Sequence, residues 1–425
     1  MRILLCGGGN AVHVLASYIG AHHTEHENLI LSLYPGEADR LRDAVPDTGI
    51  RCTNDLGETV SGCPVRIASR ARDVCDDEKP LDMVLLALPS FAHESYLRAL
   101  KPYLAPGVWI GAMPGEGGFD LTARHVLGDE LVNASTVFAL ETLPWACRIV
   151  EYGRSVEVLG TKKEVDIVVA SPTTAPTGHV QDPVSVLQKL VGRKGLPVLE
   201  PACNFLAVTL MNINSIWHPT ISFGYYRDKD VTQPWDEPPL FYQGADEYTG
   251  YLLGAISDEV LELKRVLTKD KYPDGTLDLS SLHHVREWMM RSYGDDIADT
   301  SSIHTMLQTN KGYKGLTHPM RTVVAGEESK PQYLPNFGYR YFSEDVPMGL
   351  IVTRGIAELA GVPTPNMDRV LLWCQDRMGK EYLQKDKDTG RLTLTGKDLG
   401  TTRAPQTFGY TDLDTFMKTN QYLRT

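Results

Sequence analysis

The side chains able to move a proton or hold a charged ligand fall in a few short stretches of this chain. NSIWHPTISFG places His218 in an apolar run, with nothing ionisable within several residues on either side. An imidazole titrates near neutrality, at roughly 6.5 when unperturbed, so a histidine in a dry pocket suits general acid/base work. It suits equally a core histidine that has found one backbone partner, and spacing alone does not choose. AMPGEGGFD puts Glu116 in a glycine-rich loop, ALETLPWACR carries Glu141, Thr142, Cys147 and Arg148, and YRYFSEDVPMGL carries Arg340 and Asp345. A carboxylate behind His218 would fix its tautomer and stabilise the imidazolium. Asp345 can do so only if its helix start folds back beside the histidine. Its other reading is a helix N-terminal acid, favoured by the macrodipole by about 0.3–1 kcal/mol. Trp235, in TQPWDEPPLFYQG, either walls a substrate site or simply packs.

A second kind of chemistry is written at the start. RILLCGGGNAVHVLASYIG reads as strand, glycine turn and helix, with Gly7, Gly8 and Gly9 followed by Asn10 and Ala11. Such a turn lets a pyrophosphate approach bare amides at the helix N-terminus, as in dinucleotide-binding folds. The third glycine position holds Val12, which leaves close helix-to-strand packing open there. After the second strand, SLYPGEADR offers Glu37 and Asp39 with no arginine immediately following, favouring NAD over NADP. DMVLLALPSFAHESY predicts a strand ending at Pro89, on the side where a nicotinamide lies, with His93 as helix-start chemistry.

The elements that must position these residues come next. RILLC, NLILSLY, DMVLLALP, VWIGAMP and STVFAL are compact apolar runs, and helical periodicity fills the gaps between them. The alternation predicts an α/β doubly wound, mostly parallel sheet, a Rossmann domain over residues 1–200. TGIRCTNDLGETVSGCPVRIAS is expected to make a hairpin-like excursion turning at NDLGE. KGLPVLEPA, with two prolines, fits a linker; from residue 206 to 425 long helical patterns predict a mostly α-helical domain. AGEESKPQYLPNFG reads as a surface loop.

At 425 residues, two domains are the default. A net charge of −12 argues against nucleic acid and anionic membrane as partners. No apolar run reaches membrane-spanning length and no secretory signal is visible. The seven cysteines show no metal-ligand spacing and read as reduced thiols in a cytoplasmic protein, so no metal is expected.

Several blocks carry a resemblance. CGGGN, LPSFAHE, ETLPWACR, EVLGTK, the His-Pro pair at 218, PPLFYQG, NKGYKGLTHP, RYFSEDVPMG, GKEYL and LTGKD with TTRAPQ occur in order over essentially the whole chain. Together they resemble the opine dehydrogenase family of octopine dehydrogenase type. The resemblance implies a monomeric NAD-dependent enzyme that couples an amino acid to a 2-oxo acid, usually pyruvate, and reduces the resulting imine. Residue by residue, it implies that His218 is the catalytic histidine and Asp345 its partner. It further implies that Arg340 reaches the cofactor pyrophosphate, that Glu141 lies in the amino-acid site and that Cys147 borders the nicotinamide. Glu116 departs from the family's glutamine, and Ala11 from its usual glycine. A glycerol-3-phosphate or ketopantoate type of reductase would need a lysine that CNFLAVTLMNINSIWHP does not offer. A non-catalytic dinucleotide sensor would not need the His–Asp pair.

Overall fold

The computed structural model describes residues 1–75, 78–173, 182–323, 330–387 and 389–424. The chain divides into two compact units, Met1–Val208 and Thr209–Thr425.

The first unit contains twelve described strands: β1 Arg2–Cys6, β2 Glu27–Leu31, β3 Ile50–Thr53, β4 Thr59–Gly62, β5 Arg66–Ala68, β6 Met83–Leu86, β7 Trp109–Ala112, β8 Thr136–Leu140, β9 Trp145–Glu151, β10 Ser155–Thr161, β11 Glu164–Ala170 and β12 Val198–Pro201. Eight of them form one sheet in the order β12-β11-β8-β7-β6-β1-β2-β5. From β8 to β5 every pairing is parallel. β11 then runs antiparallel to β8 and parallel to β12. Every residue of β6, β7 and β8 is buried, which is why those segments read as unbroken apolar runs rather than alternating ones. The expected linker KGLPVLEPA supplies β12 instead; Pro201 is tolerated because β12 ends the sheet, where a missing N–H breaks no ladder.

A smaller sheet, β4-β3-β10-β9, contains the expected hairpin. At its turn the Asn54 Oδ1 accepts from the amides of Leu56 and Glu58, closing NDLGE. The end of the same excursion, Arg66–Ala68, leaves the hairpin and joins the large sheet as β5. Helix α1, Asn10–His22, packs on this small sheet through bare backbone. A Cβ on Gly62 would lie 2.4 Å from the Ser17 carbonyl oxygen, so only glycine fits. Helices α2 Glu37–Ala44, α3 His93–Leu100, α4 Phe119–Leu127, α5 Asp129–Asn133 and α6 Pro183–Val191 follow in the connections between strands.

Beyond α7, Phe205–Leu210, the chain is mainly helical: α8 Ile213–Tyr226, α9 Glu247–Arg265, α10 Val285–Tyr293, α11 Ile303–Thr309, α12 Arg340–Ser343, α13 Ile351–Ala360, α14 Pro365–Met378 and α15 Leu413–Thr419. α8 and α9 meet where a Cβ on Gly224 would strike the Thr249 side chain. Part of the expected surface loop is strand, because Gln332–Pro335 pairs antiparallel with Met320–Val323. Residues 325–329, the first part of that expected loop, lie outside the described residues. Among the described residues no helix is long and apolar enough to cross a membrane.

Candidate active site

In the first unit the candidate residues collect at one edge of the large sheet. β1, β6, β7 and β8 are parallel neighbours, so their C-terminal ends lie side by side, where open α/β sheets bind ligands. Gly7 ends β1 with φ +114°, a conformation open to glycine and strained for any L side chain. Its amide donates to the Leu31 carbonyl at 2.8 Å, tying the turn between β1 and α1 to the end of β2. Gly8 sits against Glu37, whose carboxyl carbon would lie 2.5 Å from an added Cβ. Around Gly9, by contrast, no atom of the described residues lies within 4 Å of such an atom, and none of their side chains caps the first turn of α1. These uncapped amides beside an open glycine fit a pyrophosphate, and Glu37 stands where a ribose hydroxyl would need an acceptor. Asn10 serves the packing instead, because its Oδ1 accepts from the Ile149 amide at 2.9 Å and ties α1 to β9. Ala11 is buried under the turn, and Val12 is accommodated with its side chain wholly enclosed. Pro89 follows β6 and opens a short helical turn, Ser90–Ala92.

The loop after β7 holds Glu116, buried and at φ +54°, and the Gly115 amide anchors it to the Leu140 carbonyl at 2.9 Å. A non-glycine residue in that region costs of order 1–3 kcal/mol and persists only where the surroundings impose it. Glu141 and Thr142, at the end of β8, are also buried. Cys147 lies on β9 itself, and burial pushes its thiol up to about 11, leaving it uncharged near neutrality. Lys162 is inconspicuous in the sequence, hidden inside EVLGTK. Its Nζ donates to the Leu143 carbonyl at 2.7 Å, and burial draws the ammonium down to about 8 against the opposing pull of Glu141 and Cys147.

The second unit brings His218 and Asp345 together. The Nδ1 of His218 lies 2.7 Å from Asp345 Oδ2, and both residues are buried. His218 projects from α8, capped by Asn212 accepting from the Ser215 amide. Asp345 immediately precedes a π-turn, Val346–Leu350, closed by the Leu350 amide donating to the Asp345 carbonyl at 2.9 Å. That turn lies hard against α8: a Cβ on Gly349 would be 2.3 Å from Ser215 Cβ. Close approach at Gly349 therefore delivers the carboxylate across the sequence gap. Burial drives His218 down to about 3, with Arg340 adding to the fall and Glu344 opposing it. Burial likewise raises Asp345 well above the usual carboxylate range, with Glu344 in the same sense. Both directions favour a pair with no net charge, sharing one proton.

Two aromatic partners do not stand out in the sequence. The Tyr242 hydroxyl lies 3.2 Å from His218 Nε2, and Tyr341 stacks on the imidazole at 3.6 Å between centroids, 11° from parallel. Tyr242 stands in PPLFYQG, which holds no charged side chain to mark it, and Tyr341 in RYFSEDVPMG, where the charged side chains draw attention first. Arg340 pairs with Glu344 at 3.1 Å. Trp235 stands farther out; its amide donates to the Tyr333 carbonyl and its ring meets Tyr226 edge-on.

The chain is similar to known proteins over almost its whole length. Residues 201–378 match the family model for the α-helical domain of NAD/NADP octopine/nopaline dehydrogenases. The chain is 37% identical to the opine dehydrogenase of Haliotis discus hannai, over 97% of this chain and 98% of that one. It is 38% identical to the tauropine dehydrogenase of Arabella iricolor, over 98% and 99%. Its fold matches a solved octopine dehydrogenase bound to NADH and L-arginine with a TM-score of 0.85 and 36% identity, covering 98% of this chain and 97% of the other. At this identity over almost the full length of both chains, the protein belongs to the opine dehydrogenase family.

Proposed function

We propose that the protein joins the amino group of an amino acid to the carbonyl of a 2-oxo acid, with pyruvate as the oxo acid, and reduces the product with NADH. Residues 1–200 supply the cofactor site and residues 206–425 the acid/base dyad. The observation that carries the reading is the buried 2.7 Å contact between His218 and Asp345. Because Nδ1 faces the carboxylate, Nε2 is the nitrogen that works on substrate. Addition of the amine to the carbonyl gives a carbinolamine; Nε2 donates the proton with which its hydroxyl leaves as water, forming the imine. Asp345 holds the ring in the required tautomer throughout, and Tyr242 and Tyr341 fix its plane. Bound NADH supplies the hydride that reduces the imine carbon.

Gly7, Gly8, Gly9 and Pro89, with the backbone of Asn10 and Ala11, form the cofactor turn; Cys147 is assigned to the nicotinamide and Arg340 to the pyrophosphate. Glu116, Glu141, Thr142 and Trp235 are the substrate-binding set. Two buried carboxylates suit an amino acid's ammonium group or a cationic side chain such as arginine's. The enzyme acts as a monomer in the cytoplasm. The test is NADH oxidation with pyruvate and a panel of amino acids, arginine, alanine, glycine, β-alanine and taurine among them, each component omitted in turn. Turnover requires both organic substrates. Oxidation of NADH by pyruvate alone, undiminished by His218→Ala, would overturn the assignment.

A further inference from the structure

HHTEHE follows the last turn of α1, and its side chains have no part in the reaction described above. We infer that His23, Glu25 and His26 form a binding site for a zinc-class divalent cation, held between the end of α1 and the start of β2. A Glu25 carboxylate oxygen lies 3.7 Å from His23 Nδ1 and 3.7 Å from His26 Nε2. All three donor atoms fall within 4.8 Å of one another. Donors around a tetrahedral zinc stand roughly 3.4 Å apart, so each imidazole needs to approach the Glu25 oxygen by only a few tenths of an ångström, and the two rings need to approach each other by up to about 1.4 Å. Two imidazoles and a carboxylate with an open fourth position are an established zinc ligand set. A cavity of about 340 Å³ adjoins the three side chains and is lined also by Asp182, Ser185 and Lys189, leaving room for a fourth ligand.

The surrounding structure has the features of a prepared site. His23 Nε2 lies 3.0 Å from the Lys189 carbonyl, to which it donates, and its Nδ1 is turned toward Glu25. Orientation of a ligating imidazole by a backbone carbonyl is the usual outer support of a metal site. His26 turns Nε2 toward Glu25 and Nδ1 toward the Met1 amino group, at 3.7 Å and 3.3 Å. The neighbouring Glu27 is committed to Arg2 at 2.8 Å and takes no part. Imidazole donors select zinc, copper or nickel over magnesium or calcium. The thirteen residues of α1 place the site about 20 Å from the glycine turn. Its effect is therefore on stability, by binding the folded state alone.

The test uses untagged full-length protein, stripped with EDTA and titrated calorimetrically with zinc chloride. One zinc ion binds per chain. His23→Ala and Glu25→Gln each weaken binding at least tenfold, and zinc raises the melting temperature of the native protein but not of either variant. Magnesium gives no shift. NADH oxidation in EDTA is unchanged in both variants. Because Glu25 is exposed, Glu25→Gln reports on the site even if His23→Ala perturbs folding. Absence of stoichiometric zinc binding, or equal affinity in the native protein and both variants, as the exposed Cys63 thiol would give, overturns the assignment.

Discussion

Asp345 gives His218 what solvent cannot: a fixed partner for one ring nitrogen in a place too dry to stabilise an isolated charge. Removing the imidazole by His218→Ala is expected to lower kcat on the order of 10²–10⁴-fold. Asp345→Asn keeps the shape, but its amide would donate to Nδ1 and force the ring proton onto Nε2. A fall of comparable size is expected in steady-state assays. Tyr242→Phe removes one hydrogen bond to Nε2 and should cost only about 2–10-fold. His318 offers a separate test of burial. Among the described residues its two ring nitrogens have no hydrogen-bond partner, and it is packed among Tyr225, Tyr226 and Phe241. Burial, with Lys229 adding to it, lowers His318 to about 3. Between that value and an unfolded value of roughly 6.5, the unfolded chain binds a proton that the folded chain refuses. Stability from this source therefore falls as pH drops through that window. Melting temperatures from pH 7 to pH 5 should decline less for His318→Phe than for the native protein.

Elements matter through close approach. The π-turn after Asp345 reaches α8 because position 349 has no side chain. Gly349→Ala is expected to push the turn away, at about 1–3 kcal/mol in denaturant unfolding. It should also reduce kcat at least tenfold, as the 2.7 Å contact opens. Gly7→Ala meets both a positive φ and a carbonyl oxygen, that of Ala87, 3.2 Å from the new Cβ. It should weaken NADH binding, measured by fluorescence titration, more than it changes the KM of the amino acid.

At the scale of the molecule, the dyad and the glycine turn belong to different compact units. Loss of His218 should accordingly abolish turnover while NADH affinity stays within about twofold, a pairing of results that fluorescence titration and rate assays check together. If both fell in parallel, the dyad would be supporting the fold rather than the chemistry.

Much of this was legible from residue order. Apolar runs buried on both faces announced β1, β2, β6, β7 and β8 because a parallel sheet needs them so, and long 3.6-periodic patterns announced α9, α10, α13 and α14. The glycine turn was readable because few other sequences permit that backbone. Short or polar strands were not: β12 looked like a proline linker, and Gln332–Pro335 looked like a loop, since an edge strand needs little hydrophobicity. At the site, the sequence by itself determined the residue types and, through blocks spread along the chain, the family. It could not decide whether His218 is a core residue or one of a pair. Only the tertiary structure decided that, because a hydrogen bond between positions 127 residues apart depends on how closely two helical segments pack, which no local pattern encodes.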